Sequence, residues 1–228
     1  MVERVRSGVE GLDRLMDGGF LRGDVILLAG NTGSGKTIFS VEFICEGATQ
    51  YGEPGVFVTF EEDAETLKRN MLGFGFDLER LEREGLIRVL DLEAIKGSGL
   101  SANIEFILSA VREMKAKRLV IDSLTAFLTA CQEKFEYRML MHLFYKILKK
   151  LGCTTIATCS VPTGLNTLGL GIEEFIADSV ITLESTVRNG QLKTRFLVRK
   201  MRGTNHSKKY HEVVIDRKGL KIVPFSMM

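Results

Sequence analysis

The chain has 228 residues, 45% of them hydrophobic, with 31 Lys and Arg against 29 Asp and Glu. That length and apolar content suit one large domain with a well-buried core, and the near-even charge excludes a global field drawing the protein to nucleic acid or membrane. The cysteines Cys45, Cys131, Cys153 and Cys159 form no C-x-x-C pair and lie in apolar or helical contexts, so they read as packed thiols rather than metal ligands or disulfides.

Charges at Glu3, Arg4, Arg6, Glu10, Asp13, Arg14 and Asp17 exclude the apolar segment of a signal peptide at the N-terminus. No apolar run reaches the length of a membrane span, and a cytoplasmic location is the expectation. In chain order, DVILLAG (24–30) reads as a strand and KTIFSVEFICEGATQ (36–50) as an amphipathic helix. GVFVTF (55–60), AETLKRNMLGFG (64–75) and LIRVLD (86–91) read as strand, helix and strand. NIEFILSAVREMKAK (103–117) is helical, with Ile104, Ile107, Leu108 and Val111 on one face. RLVID (118–122), FEYRMLMHLFYKILKKLG (135–152) and TTIATCS (154–160) continue the alternation. Strands alternating with longer helices predict an α/β fold with a mostly parallel central sheet flanked by helices. After residue 178 the pattern becomes SVITLES, QLKTRFLVRKM, YHEVVID and RKGLKIV, which predicts antiparallel strands and hairpins at the C-terminal end. With no linker and no repeat, 1–228 is read as a single domain.

GNTGSGKT, Gly30 to Thr37, fits G-x-x-x-x-G-K-[ST] between a strand and a helix, which is the context a phosphate loop requires. The expected ligand-binding residues are Asn31, Thr32, Gly33, Ser34, Gly35, Lys36, Thr37 and Ile38. Backbone N–H groups converge on the anion and the helix adds its positive end. Lys36 is expected on the β- and γ-phosphates and the Thr37 hydroxyl on Mg²⁺. Asp122, closing an apolar strand and followed by Ser123, is the second metal-side candidate; its bland alternative is a helix cap. Glu61 and Glu62, just past another strand, should emerge at the same sheet edge. Glu61 is read as the base acting on water and Glu62 as its neighbour, against the alternative that either merely favours the next helix's N-terminus. Ser160, at a later strand end, is either a γ-phosphate contact or a plain turn residue.

RKMRGTNHSKK (199–209) concentrates Arg199, Lys200, Arg202, His206, Lys208 and Lys209 around Gly203. Such a cluster can hold a phosphate, follow a nucleic-acid backbone or only be solvated. Together with SGVEGLDRLMDGGFLRGDVILLAGNTGSGKT, EPGVFVTFEEDAETLKRNMLGFGFDLERLEREG, RLVIDSLTAF and GIEEFIADSVI, it resembles the KaiC-like family of RecA-type ATPases over nearly the whole chain. The paired glutamates and KMRGTNH carry the specificity of that resemblance, since the phosphate loop is shared by many nucleotide hydrolases.

The resemblance implies a RecA-like P-loop fold and a homo-oligomeric ring, usually of six, with Mg²⁺ and ATP at the interfaces. It implies that Lys200 and Arg202 reach the γ-phosphate of the adjacent subunit, with Thr204, His206 and Asp216 near the ribose or phosphates. A guanidinium lent across an interface suits charge developing on a transferred phosphoryl group. Glu174 and Phe175 stand where the second domain of the clock protein carries Ser and Thr phosphoacceptors, so neither autophosphorylation nor a circadian role is implied. Gly73 stands where the family often places a serine near the adenine, so a base contact there is either through backbone or lost altogether.

The expected activity is slow, interface-dependent ATP hydrolysis that switches an unidentified protein partner. Two rivals are a recombinase paralogue on single-stranded DNA and a module that binds ATP without turnover. Against the first, no basic stripe is interleaved with aromatics, and the chain has no Trp and four Tyr.

Overall fold

The computed structural model describes residues 3–93, 98–128, 134–161, 177–188 and 190–225; Cys131, Glu174 and Phe175 lie outside them. A small antiparallel pair, β1 (Arg4–Val5) and β2 (Phe20–Leu21), precedes the main sheet. That sheet comprises β3 (Val25–Gly30), β4 (Gly55–Thr59), β5 (Ile87–Asp91), β6 (Arg118–Asp122), β7 (Thr154–Ser160), β8 (Ser179–Arg188), β9 (Gln191–Met201), β10 (His211–Asp216) and β11 (Gly219–Pro224). The spatial order is β11-β10-β9-β8-β3-β7-β6-β4-β5. Strands β8-β3-β7-β6-β4-β5 are parallel to their neighbours, and β9, β10 and β11 extend them antiparallel, as the residue pattern predicts.

The helices are α1 (Lys36–Tyr51), α2 (Ala64–Leu72), α3 (Leu78–Arg83), α4 (Ser98–Glu113), α5 (Leu124–Leu128) and α6 (Lys134–Leu151). The predicted helix over 64–75 stops at Leu72, and Asp77 opens the unpredicted α3 by accepting the Arg80 N–H at 2.9 Å. Helix α5 was also not predicted: five residues are too few for a periodic signal.

Alternate residues of the parallel strands enter two separate cores, since both faces of a parallel sheet are covered. Ile26, Leu28, Phe57, Val120 and Ile156 join Phe39, Phe43 and Leu67 of α1 and α2. Val25, Leu27, Val56, Leu119 and Ile121 join Ile107 and Val111 of α4 and Phe144 and Leu148 of α6. Cys45, Cys153 and Cys159 are buried free thiols, as expected.

The register then sorts the chemistry. Gly30 pairs with Ser160 and Thr59 with Asp122, so the carboxyl ends of β3, β7, β6 and β4 line one edge. On the other side of β3, Ile26 pairs with Ser179 and Gly30 with Leu183, while Ser179 pairs with Met201. Strand β9 therefore delivers the basic motif to the opposite edge.

Candidate active site

Strand β3 ends at Gly30 and α1 begins at Lys36, leaving a short loop to turn the chain. Gly33 and Gly35 take φ of 76° and 96°, the left-handed region that a side chain disfavours. Asn31 pins the loop's start by donating Nδ2 to the Val161 carbonyl at 3.0 Å and accepting the Ser185 N–H at 2.8 Å. Ser34 is fully buried and donates its N–H to the Asn31 carbonyl at 3.1 Å, whereas Thr32 and Gly33 are exposed at the tip. Ile38, in the first turn of α1, packs partly buried against the core.

The Lys36 ammonium donates to the carbonyls of Gly30 and Asn31, both at 3.0 Å, and so folds back over the loop. Burial pulls its pKa down, opposed by the nearby Asp122 and Glu61 carboxylates. The Thr37 hydroxyl donates to Asp122 Oδ2 at 2.7 Å, and the Thr158 hydroxyl to Asp122 Oδ1 at 2.5 Å. Burial pushes Asp122 up, the bonds from Thr158 and Thr37 oppose it, and Glu61 adds to the rise. Asp122 is not a helix cap; the Ala126 N–H in α5 goes to Ser123 Oγ at 3.1 Å.

The paired glutamates diverge. Ser123 donates its hydroxyl to Glu61 Oε1, which faces Glu61 toward the end of β6. Glu62 turns to α2, accepting Asn70 Nδ2 at 2.6 Å, while its carbonyl accepts the Thr59 hydroxyl at 2.6 Å. Neither caps α2, a task taken by Asp63. Ser160 sits beside Gly30 at the same edge and donates its N–H to Thr125 Oγ1 at 2.9 Å.

A dication fits this donor set. No group of three or more His, Cys, Asp or Glu among the described residues could cage a metal. A buried carboxylate held by the hydroxyls of Thr37 and Thr158 offers hard oxygen donors and suits Mg²⁺, which takes few protein ligands and completes its shell with water and phosphate oxygens.

The basic motif is built elsewhere. Lys200 Nζ donates to the Ala177 carbonyl at 2.7 Å, and Arg202 Nη1 lies 3.7 Å from Asp178 Oδ1. Thr204 Oγ1 accepts from Arg4 Nη1 at 3.2 Å, and His206 Nδ1 is 3.1 Å from the Ser207 carbonyl. Asp216 stands apart from all four. It accepts the Lys218 N–H at 2.7 Å and pairs with Lys221 at 3.2 Å. Its neighbour Ile215 packs against the phosphate loop, where a Cβ on Gly35 would come within 2.9 Å of Ile215 Cδ1. Gly73 caps α2 with φ of −61°, an ordinary conformation for any residue.

Thr158 and Asn70 were not singled out by sequence reasoning. A threonine inside a β-branched strand reads as propensity, and Asn70 lies eight positions beyond the carboxylate it holds.

A phosphate loop at a carboxyl edge, with an acid one strand removed and a carboxylate on the next, defines a RecA-type nucleotide-binding domain. The family model described as "ATPase: KaiC" matches residues 5–226. The solved structure of a KaiC-like protein from Pyrococcus horikoshii OT3 superposes with a TM-score of 0.90 at 42% identity, covering 98% of this chain and 100% of that one. The circadian clock protein KaiC3 of Synechocystis is 37% identical over 99% of this chain, which spans only 46% of that relative's length. A UPF0273 protein of Thermotoga maritima is 36% identical, over 98% of this chain and 97% of its own. The chain belongs to the KaiC ATPase family.

Proposed function

We propose that this chain is a Mg²⁺-dependent ATPase whose complete site forms only where two copies meet, in a ring that the family resemblance makes six-membered. The observation that carries the reading is the strand register. Lys200 and Arg202 lie at the edge where β3 begins, and the phosphate loop lies where it ends, four residues or about 13 Å along the strand. Two cations so placed cannot reach their own chain's γ-phosphate, yet they suit a neighbour's.

In that site the loop amides and Lys36 hold the phosphates of ATP, and Thr37 and Asp122 would hold Mg²⁺, which would supply charge neutralisation for the phosphates. Glu61, turned toward the end of β6 by Ser123, orients the attacking water and takes its proton. The water oxygen bonds to the γ-phosphorus as the bond to the bridging oxygen breaks, giving ADP and phosphate. Arg202 and Lys200 of the neighbour meet the charge that develops. Glu62, engaged with Asn70, supports the segment rather than the water. Thr204, His206 and Asp216 accompany the lent cations near the ribose or phosphates. The energy released switches a protein partner in the cytoplasm.

Mass measurement with and without Mg·ATP, joined to a phosphate-release assay, tests the reading. Arg202→Ala should lower turnover about 10³-fold, and Glu61→Gln should assemble and bind ATP without turnover. A strictly monomeric preparation that hydrolyses ATP at the full rate overturns it.

A further inference from the structure

At the edge of the sheet away from the phosphate loop, Asp178 is buried and engaged on every side. Its Oδ2 accepts the Val25 N–H at 3.0 Å and the Lys149 ammonium at 3.0 Å. Its Oδ1 accepts the Tyr145 hydroxyl at 2.8 Å and faces Arg202 Nη1 at 3.7 Å. The main chain is held as well: Asp178 donates its N–H to the Val25 carbonyl at 2.9 Å and accepts the Arg202 N–H at 3.1 Å. One residue earlier, the Ala177 carbonyl takes the Lys200 ammonium.

Lys200 and Arg202 of the basic motif are thus tied to residues 177 and 178, and Asp178 is tied to the first residue of β3 and to α6. Arg202 itself is about half exposed, so the fold secures its base and leaves its guanidinium within reach of solvent. An arginine that must meet a phosphoryl group across an interface loses less side-chain freedom on docking when it is already oriented. Asp24 adds a second buried carboxylate at 3.2 Å from Lys149, so a single ammonium bridges two acids, and the removal of one changes how it is shared.

We propose that Asp178 is a positioning residue for catalysis in the adjacent subunit, acting through Arg202 and Lys200, with Tyr145 and Lys149 fixing its carboxylate. The proposal rests on the reading that these cations work across an interface. Strand β3 would then connect the two half-sites of one subunit: the loop that receives ATP at its end, and the anchor of the lent cations at its start.

Mixed oligomers of the full chain test it. Asp178→Asn keeps the shape of the side chain and removes its charge, and it should lower kcat about tenfold while leaving KM for ATP unchanged. Co-assembly of Asp178→Asn with Glu61→Gln places an intact cation donor beside an intact base at about a quarter of randomly formed interfaces, so turnover should exceed the mean of the separate preparations roughly fivefold. The control is Arg202→Ala co-assembled with Glu61→Gln. If the control regains turnover and the Asp178 mixture does not, Asp178 acts on its own chain's pocket and the proposal is wrong. If neither mixture regains turnover, the interface reading fails and the proposal with it. Should Asp178→Asn not fold, Tyr145→Phe removes one hydroxyl and carries the same mixing test, with an expected kcat loss of about threefold.

Discussion

The hydroxyl of Thr37 points at the carboxylate of Asp122, 2.7 Å away, and joins the first turn of α1 to the end of β6. The opposite oxygen of that carboxylate is held by Thr158, so its orientation is set before any ion arrives. Thr158→Val removes one of the two orienting bonds. It should weaken Mg²⁺-dependent turnover about 10–100-fold, the usual effect of an outer partner of a metal site, while the fold persists. A titration of turnover against Mg²⁺ measures this; an unchanged Mg²⁺ response shows that Asp122 does not serve the ion.

Glu42 of α1 is buried and accepts the Leu220 N–H with one oxygen, while the other has no partner among the described residues. Burial pushes its pKa up to about 8, the Leu220 bond opposes that rise, and Asp216 and Glu46 reinforce it. An acid with a raised folded pKa binds more protons folded than unfolded, so its contribution is complete below about pH 4.5 and is lost as pH rises toward 8. Glu42→Gln should flatten the decline in stability across that window by up to about 1.4 kcal/mol per pH unit. Urea unfolding of both proteins between pH 5 and 8 decides it, and parallel curves refute the assignment.

Gly35 combines a left-handed φ of 96° with contact against the β10–β11 hairpin. Gly35→Ala introduces a Cβ within 2.9 Å of Ile215 Cδ1 and 3.1 Å of Leu220 Cδ1. A cost of about 1–2 kcal/mol is expected from the backbone alone, with loss of ATP binding because the loop must reshape. Denaturant unfolding and nucleotide binding together report it; a variant that binds ATP normally shows that the loop tolerates a side chain.

Arg118 is the largest fully buried side chain among the described residues, and it opens the strand that ends in Asp122. Its Nε donates to Glu53 at 2.8 Å, its Nη1 to the carbonyls of Arg6 and Phe43, and its guanidinium lies over the Phe43 ring. Glu53→Ala strands this charge away from solvent and should cost about 3–5 kcal/mol, as a broken buried pair does. Chemical denaturation measures it, and a loss within experimental error shows that the carbonyls alone satisfy Arg118.

The sequence by itself determined the elements whose chemistry is local. A glycine pattern between a strand and a helix dictates a phosphate cradle, and short β-branched or apolar runs between helical patterns dictate β3, β4, β6 and β7, because a loop's dihedrals and a strand's buried faces depend on nearby residues. The carboxylates Glu61 and Asp122 were legible for the same reason: each follows such a run. Only the tertiary structure decided which carboxylate faces β6, since Ser123 and Asn70 reach Glu61 and Glu62 from other elements. It also decided that Ile215 packs against the phosphate loop while Lys200 and Arg202 sit at the far edge, held by Ala177 and Asp178. Those separations follow from strand order and register, which long-range hydrogen bonding sets and which no spacing along the chain encodes.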